Sequence, residues 1–191
     1  MTPRVMFSLN GEYGLIDFAD AAASYGDSET RTAYLGIDFS PLGKMSGSVK
    51  IGYKELSPRL AGRSGFAGIF ANSSVSLKMA RMLTIRGQYE RDVYFSVWYD
   101  NAFFVSNRYG AGVSLYVLRR KVRLDYDYGS RRDGYGSGQS LDMLTHSAGV
   151  FFRLGEKMGI GLKGGSYYQR YIYNAKDYRR AFVGLNLTYD Y

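Results

Sequence analysis

Residues 121–128, KVRLDYDY, alternate without exception: Lys121, Arg123, Asp125 and Asp127 fall on one parity, and Val122, Leu124, Tyr126 and Tyr128 on the other. Successive side chains of a β-strand point to opposite faces, so this segment has one charged face and one apolar face. Period-2 alternation recurs from one end of the chain to the other, and no amphipathic helix competes with it. The open question is which face meets water. A soluble protein turns the apolar face inward, whereas a membrane barrel turns it outward.

Ten strands are expected, at about 4–18, 30–40, 44–56, 66–79, 82–96, 102–117, 120–129, 139–154, 157–173 and 179–191. Their connections alternate in length. SPLGK (40–44), MARM (79–82), LRRK (118–121) and LGEK (154–157) read as tight hairpins. ADAAASYGDSE, LSPRLAGRSG, VWYDNA, GSRRDGYGSGQ and NAKDYRR read as longer polar links. Short turns at one end and long loops at the other are the layout of an outer-membrane barrel, with turns periplasmic and loops extracellular. An even strand number puts both termini on the periplasmic side. No linker or composition shift divides the 191 residues, so a single domain, 1–191, is expected.

Sorting by parity gives an apolar class that includes Val5, Phe7, Leu9, Leu35, Ile37, Val49, Ile51, Val75, Ile85, Val113, Leu115, Leu162, Val183, Leu185 and Leu187. The opposite class collects ten cations, Arg4, Lys50, Lys54, Lys78, Arg86, Arg108, Lys121, Arg123, Arg153 and Lys163. Its seven acids are Glu12, Asp38, Glu90, Asp92, Asp125, Asp127 and Asp190, which leaves 10 − 7 = +3. Gly36, Gly52, Gly110, Gly112, Gly149, Gly161, Gly165 and Gly184 share this face. A solvated strand face has no use for so much glycine; a narrow lumen crowded with long charged side chains needs small neighbours. Several strands reach 13 to 16 residues, when about 9–11 tilted residues cross a bilayer. Aromatics gather near strand ends (Phe95, Trp98, Tyr99, Phe103, Phe104, Tyr171, Tyr173, Tyr178), as in interfacial girdles. A soluble lipid-binding barrel accounts for the alternation but not for the glycines. The fold expected is therefore all-β: an antiparallel up-and-down transmembrane β-barrel of about ten strands in the outer membrane of a Gram-negative bacterium.

The last strand, AFVGLNLTYDY, carries apolar side chains at Leu185, Leu187, Tyr189 and Tyr191 and ends on an aromatic. It resembles the C-terminal signal of bacterial outer-membrane proteins, which usually ends in Phe and which implies the barrel-assembly machinery as a partner. YERDVYF and YYQRYIYNAKDYRRAFVGLNLTYDY resemble β-barrel porins associated with exopolysaccharide export. Those are typically larger, so the resemblance leaves open a complete small barrel or part of a wider one.

Little in the chain points to catalysis. Cysteine is absent. The single histidine, His146, neighbours Ser147, but adjacent strand residues face opposite ways and cannot pair directly. The barrel deacylases carry the two residues two apart. Glu90 with Asp92, and Asp125 with Asp127, are same-face acidic pairs like those of ten-stranded outer-membrane proteases. Here Arg86, Lys121 and Arg123 lie among them, which favours structural ion pairs over a general acid. The same cations make carboxylate clusters poor metal cages; no cofactor or metal is expected.

Net charge is +8. A second basic group, Arg59, Arg63, Arg131, Arg132, Lys176, Arg179 and Arg180, is expected in the extracellular loops, where arginine would hold lipopolysaccharide phosphates or steer an acidic polymer. The cations form no continuous patch, so nucleic acid is not an expected partner. Partners expected are outer-membrane lipid, lipopolysaccharide and other envelope proteins. The functions in view are a porin-like barrel with a narrow charged lumen, for passive transport or polysaccharide export; an anchor for a larger envelope complex; a barrel enzyme; and a soluble lipid-binding barrel.

Overall fold

The computed structural model describes residues 4–17, 27–40, 43–60, 62–79, 81–96, 103–136, 138–155, 157–171 and 176–189. They form ten strands: β1 (Arg4–Ile16), β2 (Ser28–Ser40), β3 (Met45–Pro58), β4 (Phe66–Met79), β5 (Leu83–Phe95), β6 (Phe103–Val117), β7 (Val122–Tyr135), β8 (Ser140–Arg153), β9 (Met158–Tyr171) and β10 (Lys176–Tyr189). All lie in one sheet in chain order, each antiparallel to the next. This is the up-and-down architecture the alternation implies.

Register carries parity across the sheet. Arg86 pairs with Gly112, Gly112 with Asp127, Asp127 with Ser147 and Ser147 with Gly165. No pair slips within its length, so every apolar-class residue stays on one face and every charged-class strand residue on the other. Burial is the reverse of a soluble protein's. On the apolar face Phe7, Leu9, Val183 and Leu187 are each more than 70% exposed, whereas on the polar face Ser106, Ser114 and Asp133 are 1% exposed or less. The polar face is the concave one: one cavity of 460 Å³ is lined by residues from Ser46 on β3 to Lys163 on β9. Large side chains facing outward and small polar ones inward suit a lipid surround, not water.

Three expectations need correction. β7 runs on to Tyr135, and β10 begins at Lys176. Arg131, Arg132, Lys176, Arg179 and Arg180 are therefore strand residues, not loop residues. Beyond the apolar band both faces of a strand turn polar, so hydropathy stops alternating while the backbone continues. The aromatic girdle is also only partly outward. Phe104, Tyr171 and Tyr178 share the charged face, by their register with Tyr135, Leu141 and Gln169. Trp98, Tyr99 and Tyr173 lie outside the described residues.

The outer edges of β1 and β10 pair with no other described strand. In hydrocarbon each unmet backbone group costs several kcal/mol, so spanning sheets are closed. Following the register from Asn10 leads through Tyr34 and Gly52 to Phe70; one step beyond the Ala71–Arg91 pair brings in Asp92, and the row continues through Ser106, Asp133, Leu141 and Tyr171 to Lys176, the first residue of β10. Closure with a shear of roughly ten residues, which corresponds to a strand tilt of about 35°, would set Asn10 opposite Asn186 and Ser8 opposite Thr188. Polar then meets polar inside. Outside, Leu9 faces Leu187. Because the chain lacks cysteine, the double variant Asn10→Cys, Asn186→Cys should form an intramolecular disulfide in the membrane-folded protein. Crosslinks formed only between chains would instead make these edges a junction between copies.

Candidate functional site: the charged face

On the concave face, charges are paired across strands that are not neighbours. Asp127 on β7 accepts from Arg86 on β5 (2.9 Å) and from Lys163 on β9 (3.2 Å). Arg86 also donates to Ser114 Oγ (2.6 Å), Ser114 Oγ donates to Asp125 (2.6 Å), and Arg123 Nε donates to Asp125 (2.8 Å). The result is one connected chain, Lys163–Asp127–Arg86–Ser114–Asp125–Arg123. The Arg86 and Asp127 side chains are 40% and 38% exposed. Such a half-solvated contact is worth about 1 kcal/mol, not the several of a buried pair. Its weight lies in placement: it spans the concavity and fills it with fixed charge.

A second group sits toward the long-loop end. Lys54 on β3 bridges to Asp92 on β5 (2.9 Å). Glu90 meets Arg108 (3.2 Å) and also accepts from the Tyr94 hydroxyl. Arg108 lies over the Tyr94 ring (5.0 Å to the centroid), and Arg131 binds the buried Asp133 (2.7 Å). Tyr34 donates to Glu12 (3.0 Å), and Lys50 lies over the same tyrosine ring (5.7 Å). Both acidic pairs singled out in the sequence, Glu90 with Asp92 and Asp125 with Asp127, are held by cations.

The remaining charged-class residues are not drawn into these pairs. Asp38, Lys50, Lys78, Lys121 and Arg153 make no ion pair among the described residues. Arg4 holds a position of the same parity at the start of β1. Lys121 sits in the turn before β7, and Asp190 lies outside the described residues. Arg59, just past β3, binds Asp17 (2.6 Å) and Glu29 (3.6 Å) at the long-loop rim, and Arg63 lies in the β3–β4 link. Of the terminal apolar set, Leu185, Leu187 and Tyr189 are exposed on the outer face, and Tyr191 is outside the described residues.

A polar row on the outer face escaped the sequence reading. Arg91, Asn107, Arg132, Asp142, Arg170 and Asp177 follow one another in register across β5 to β10. Arg91 binds Asn107 (3.0 Å), Arg132 takes both oxygens of Asp142 (2.8 and 3.2 Å), and Arg170 approaches Asp177 (4.0 Å). The signal was cross-strand sign complementarity, readable only with register in hand. On β7 and β8 the row marks where the apolar band stops, whereas on β5 and β6 Val93, Phe95, Phe103 and Val105 carry the apolar face beyond it. His146 is on the outer face too, its Nδ1 2.8 Å from the Tyr126 hydroxyl, while Ser147 is buried on the inner face. The two do not meet. No cluster among the described residues could hold a metal ion.

Glycine makes the central crossing possible. A Cβ at Gly112, between Arg86 and Asp127, would lie 2.7 Å from the Asp127 carboxylate and 2.9 Å from the guanidinium. Gly87, on the outer face, has open space instead. Gly112→Val should destabilise the folded barrel by about 1–3 kcal/mol, and Gly87→Val should change it by less than about 0.5 kcal/mol. Denaturant titration of the detergent-folded protein, followed by tryptophan fluorescence, measures both.

The comparisons with known proteins follow the same architecture. A family model described as "Putative beta-barrel porin 2" matches residues 5–191. Among solved structures, OmpT (in-vitro folded, trimer form), an outer membrane protein of Vibrio cholerae, superposes with a TM-score of 0.54. The superposition covers 100% of this chain and 85% of that one, at 10% sequence identity, a likeness of fold alone. No curated relative matches. With nearly the whole chain under the family model, the protein belongs to this β-barrel porin family and resides in the bacterial outer membrane.

Proposed function

We infer that the protein is a porin-like, non-catalytic barrel that passes small solutes through a narrow charged lumen and favours anions. The observation that carries this reading is the Lys163–Asp127–Arg86 crossing beside the 460 Å³ cavity. Fixed charges of both signs span the space a solute would traverse, which narrows it. Among the described residues the cations without acidic partners, Lys50, Lys78 and Arg153, outnumber the acids without cationic partners, Glu12 and Asp38, and set its sign. A pore lined by excess positive charge concentrates anions and repels cations. Ten strands close to a lumen much tighter than that of a sixteen-stranded porin. A polysaccharide chain would need a wider barrel of which this sheet formed only part. The capture of acidic side chains by cations argues against a barrel enzyme.

The test is single-channel conductance of the folded protein in planar bilayers under a salt gradient. Small steps with a reversal potential toward the chloride limit are expected, and Lys163→Glu combined with Lys50→Glu should shift that potential toward the cation limit. A folded barrel that never conducts would overturn the transport reading in favour of an anchor.

A further inference from the structure

Cations accumulate at the short-turn end. Each short turn carries at least one: Lys44, Arg81, the run Arg119–Arg120–Lys121, and Lys157. Four cations from separate elements share one cavity there. Arg120 comes from the β6–β7 turn, Arg123 from β7, Arg153 from β8 and Lys157 from the β8–β9 turn; together with Tyr116 and Phe151 they line a space of 270 Å³. Among the described residues no carboxylate lines it. Of the four, Arg123 alone has an acidic partner among the described residues, Asp125.

The two rings are already engaged. The Arg123 guanidinium lies 5.0 Å from the Phe151 centroid and that of Arg120 lies 5.9 Å from Tyr116. With a cation on each ring, the aromatics act as supports that fix guanidinium planes, not as platforms for a sugar. Arg120 is held further by donating to the Arg81 carbonyl (3.3 Å). It closes a turn in which Leu118, Arg119 and Arg120 all take positive φ (49°, 54° and 69°). L-residues rarely adopt this region, and strain of this kind persists where surrounding structure enforces it.

We propose that this cavity is an oxyanion site for phosphate, free or carried on a small solute entering from the turn end. Its three cations without an acidic partner among the described residues repel one another when the site is empty. A dianion relieves that repulsion better than a single carboxylate does, and arginine presents paired N–H donors to phosphate oxygens. The volume accommodates a phosphate with one sugar ring. The site deepens the anion-selective reading above but does not depend on conduction: binding is an equilibrium measured without a bilayer.

The experiment is isothermal titration of inorganic phosphate, and separately of a hexose phosphate and of neutral hexose, into the detergent-folded chain at constant ionic strength in chloride. Saturable binding of both phosphates and none of the neutral sugar is expected. Arg153→Gln with Lys157→Gln should weaken phosphate at least tenfold. Lys44→Gln, which removes an equal charge from another turn at the same end, should change it less than twofold. If the double variant fails to fold, Lys157→Gln alone, in an exposed turn, is expected to weaken binding about threefold. Absence of saturable phosphate binding, or equal losses for Lys44→Gln and Lys157→Gln, would overturn the site. Phosphate binding without conductance would remove the pore and leave the site standing.

Discussion

Hydrocarbon cannot hydrogen-bond to a peptide group, and the rest of this molecule follows from that. Every N–H and C=O must be answered by a neighbouring strand, so the chain runs as one meander in which each strand pairs with the next. Strands of 13 to 15 residues are long enough to cross with length to spare. The surplus emerges at the long-loop end, where Arg132 and Asp142 mark the outer limit of the apolar band.

Once the backbone is settled, side chains divide by parity. The outer face needs only to be apolar, so packing there is loose in its demands and Gly87 meets nothing. The inner face is crowded. Charges reach over an intervening strand to find partners, and glycine or serine must stand beneath each crossing, as Gly112 does between Arg86 and Asp127. This ties composition to architecture: the abundance of glycine in a strand-rich chain follows from paired charges in a small concavity.

Much of the fold was legible because parity survives errors at strand ends. Misplacing the start of β10 by three residues leaves Val183, Leu185 and Leu187 on the same face. What failed was hydropathy beyond the lipid band. Arg131 faces in toward Asp133 and Arg132 faces out toward Asp142, so a strand with charge on both sides reads as a loop. Aromatic position was misread for a related reason: nearness to a strand end does not say which face a ring takes, and Phe104 faces inward against Tyr94 and Tyr135. The charged face could be assigned from sequence, but its pairings could not. Arg86 and Asp127 lie 41 positions apart on strands that are not adjacent, and only sheet curvature brings them together. The same holds for Arg120, Arg123, Arg153 and Lys157, gathered from two turns and two strands.

The central claim is that the apolar face meets lipid and the charged face does not. It is tested most directly by spin labels placed one at a time on cysteines at residues 72–77 of β4, where the side chains Asn72, Ser73, Ser74, Val75, Ser76 and Leu77 are mostly small and the chain has no native cysteine to confuse the readout. In liposomes, collision with membrane-dissolved oxygen should peak at 73, 75 and 77, and collision with a water-soluble nickel chelate at 72, 74 and 76. The opposite phase would turn the sheet inside out and contradict the account.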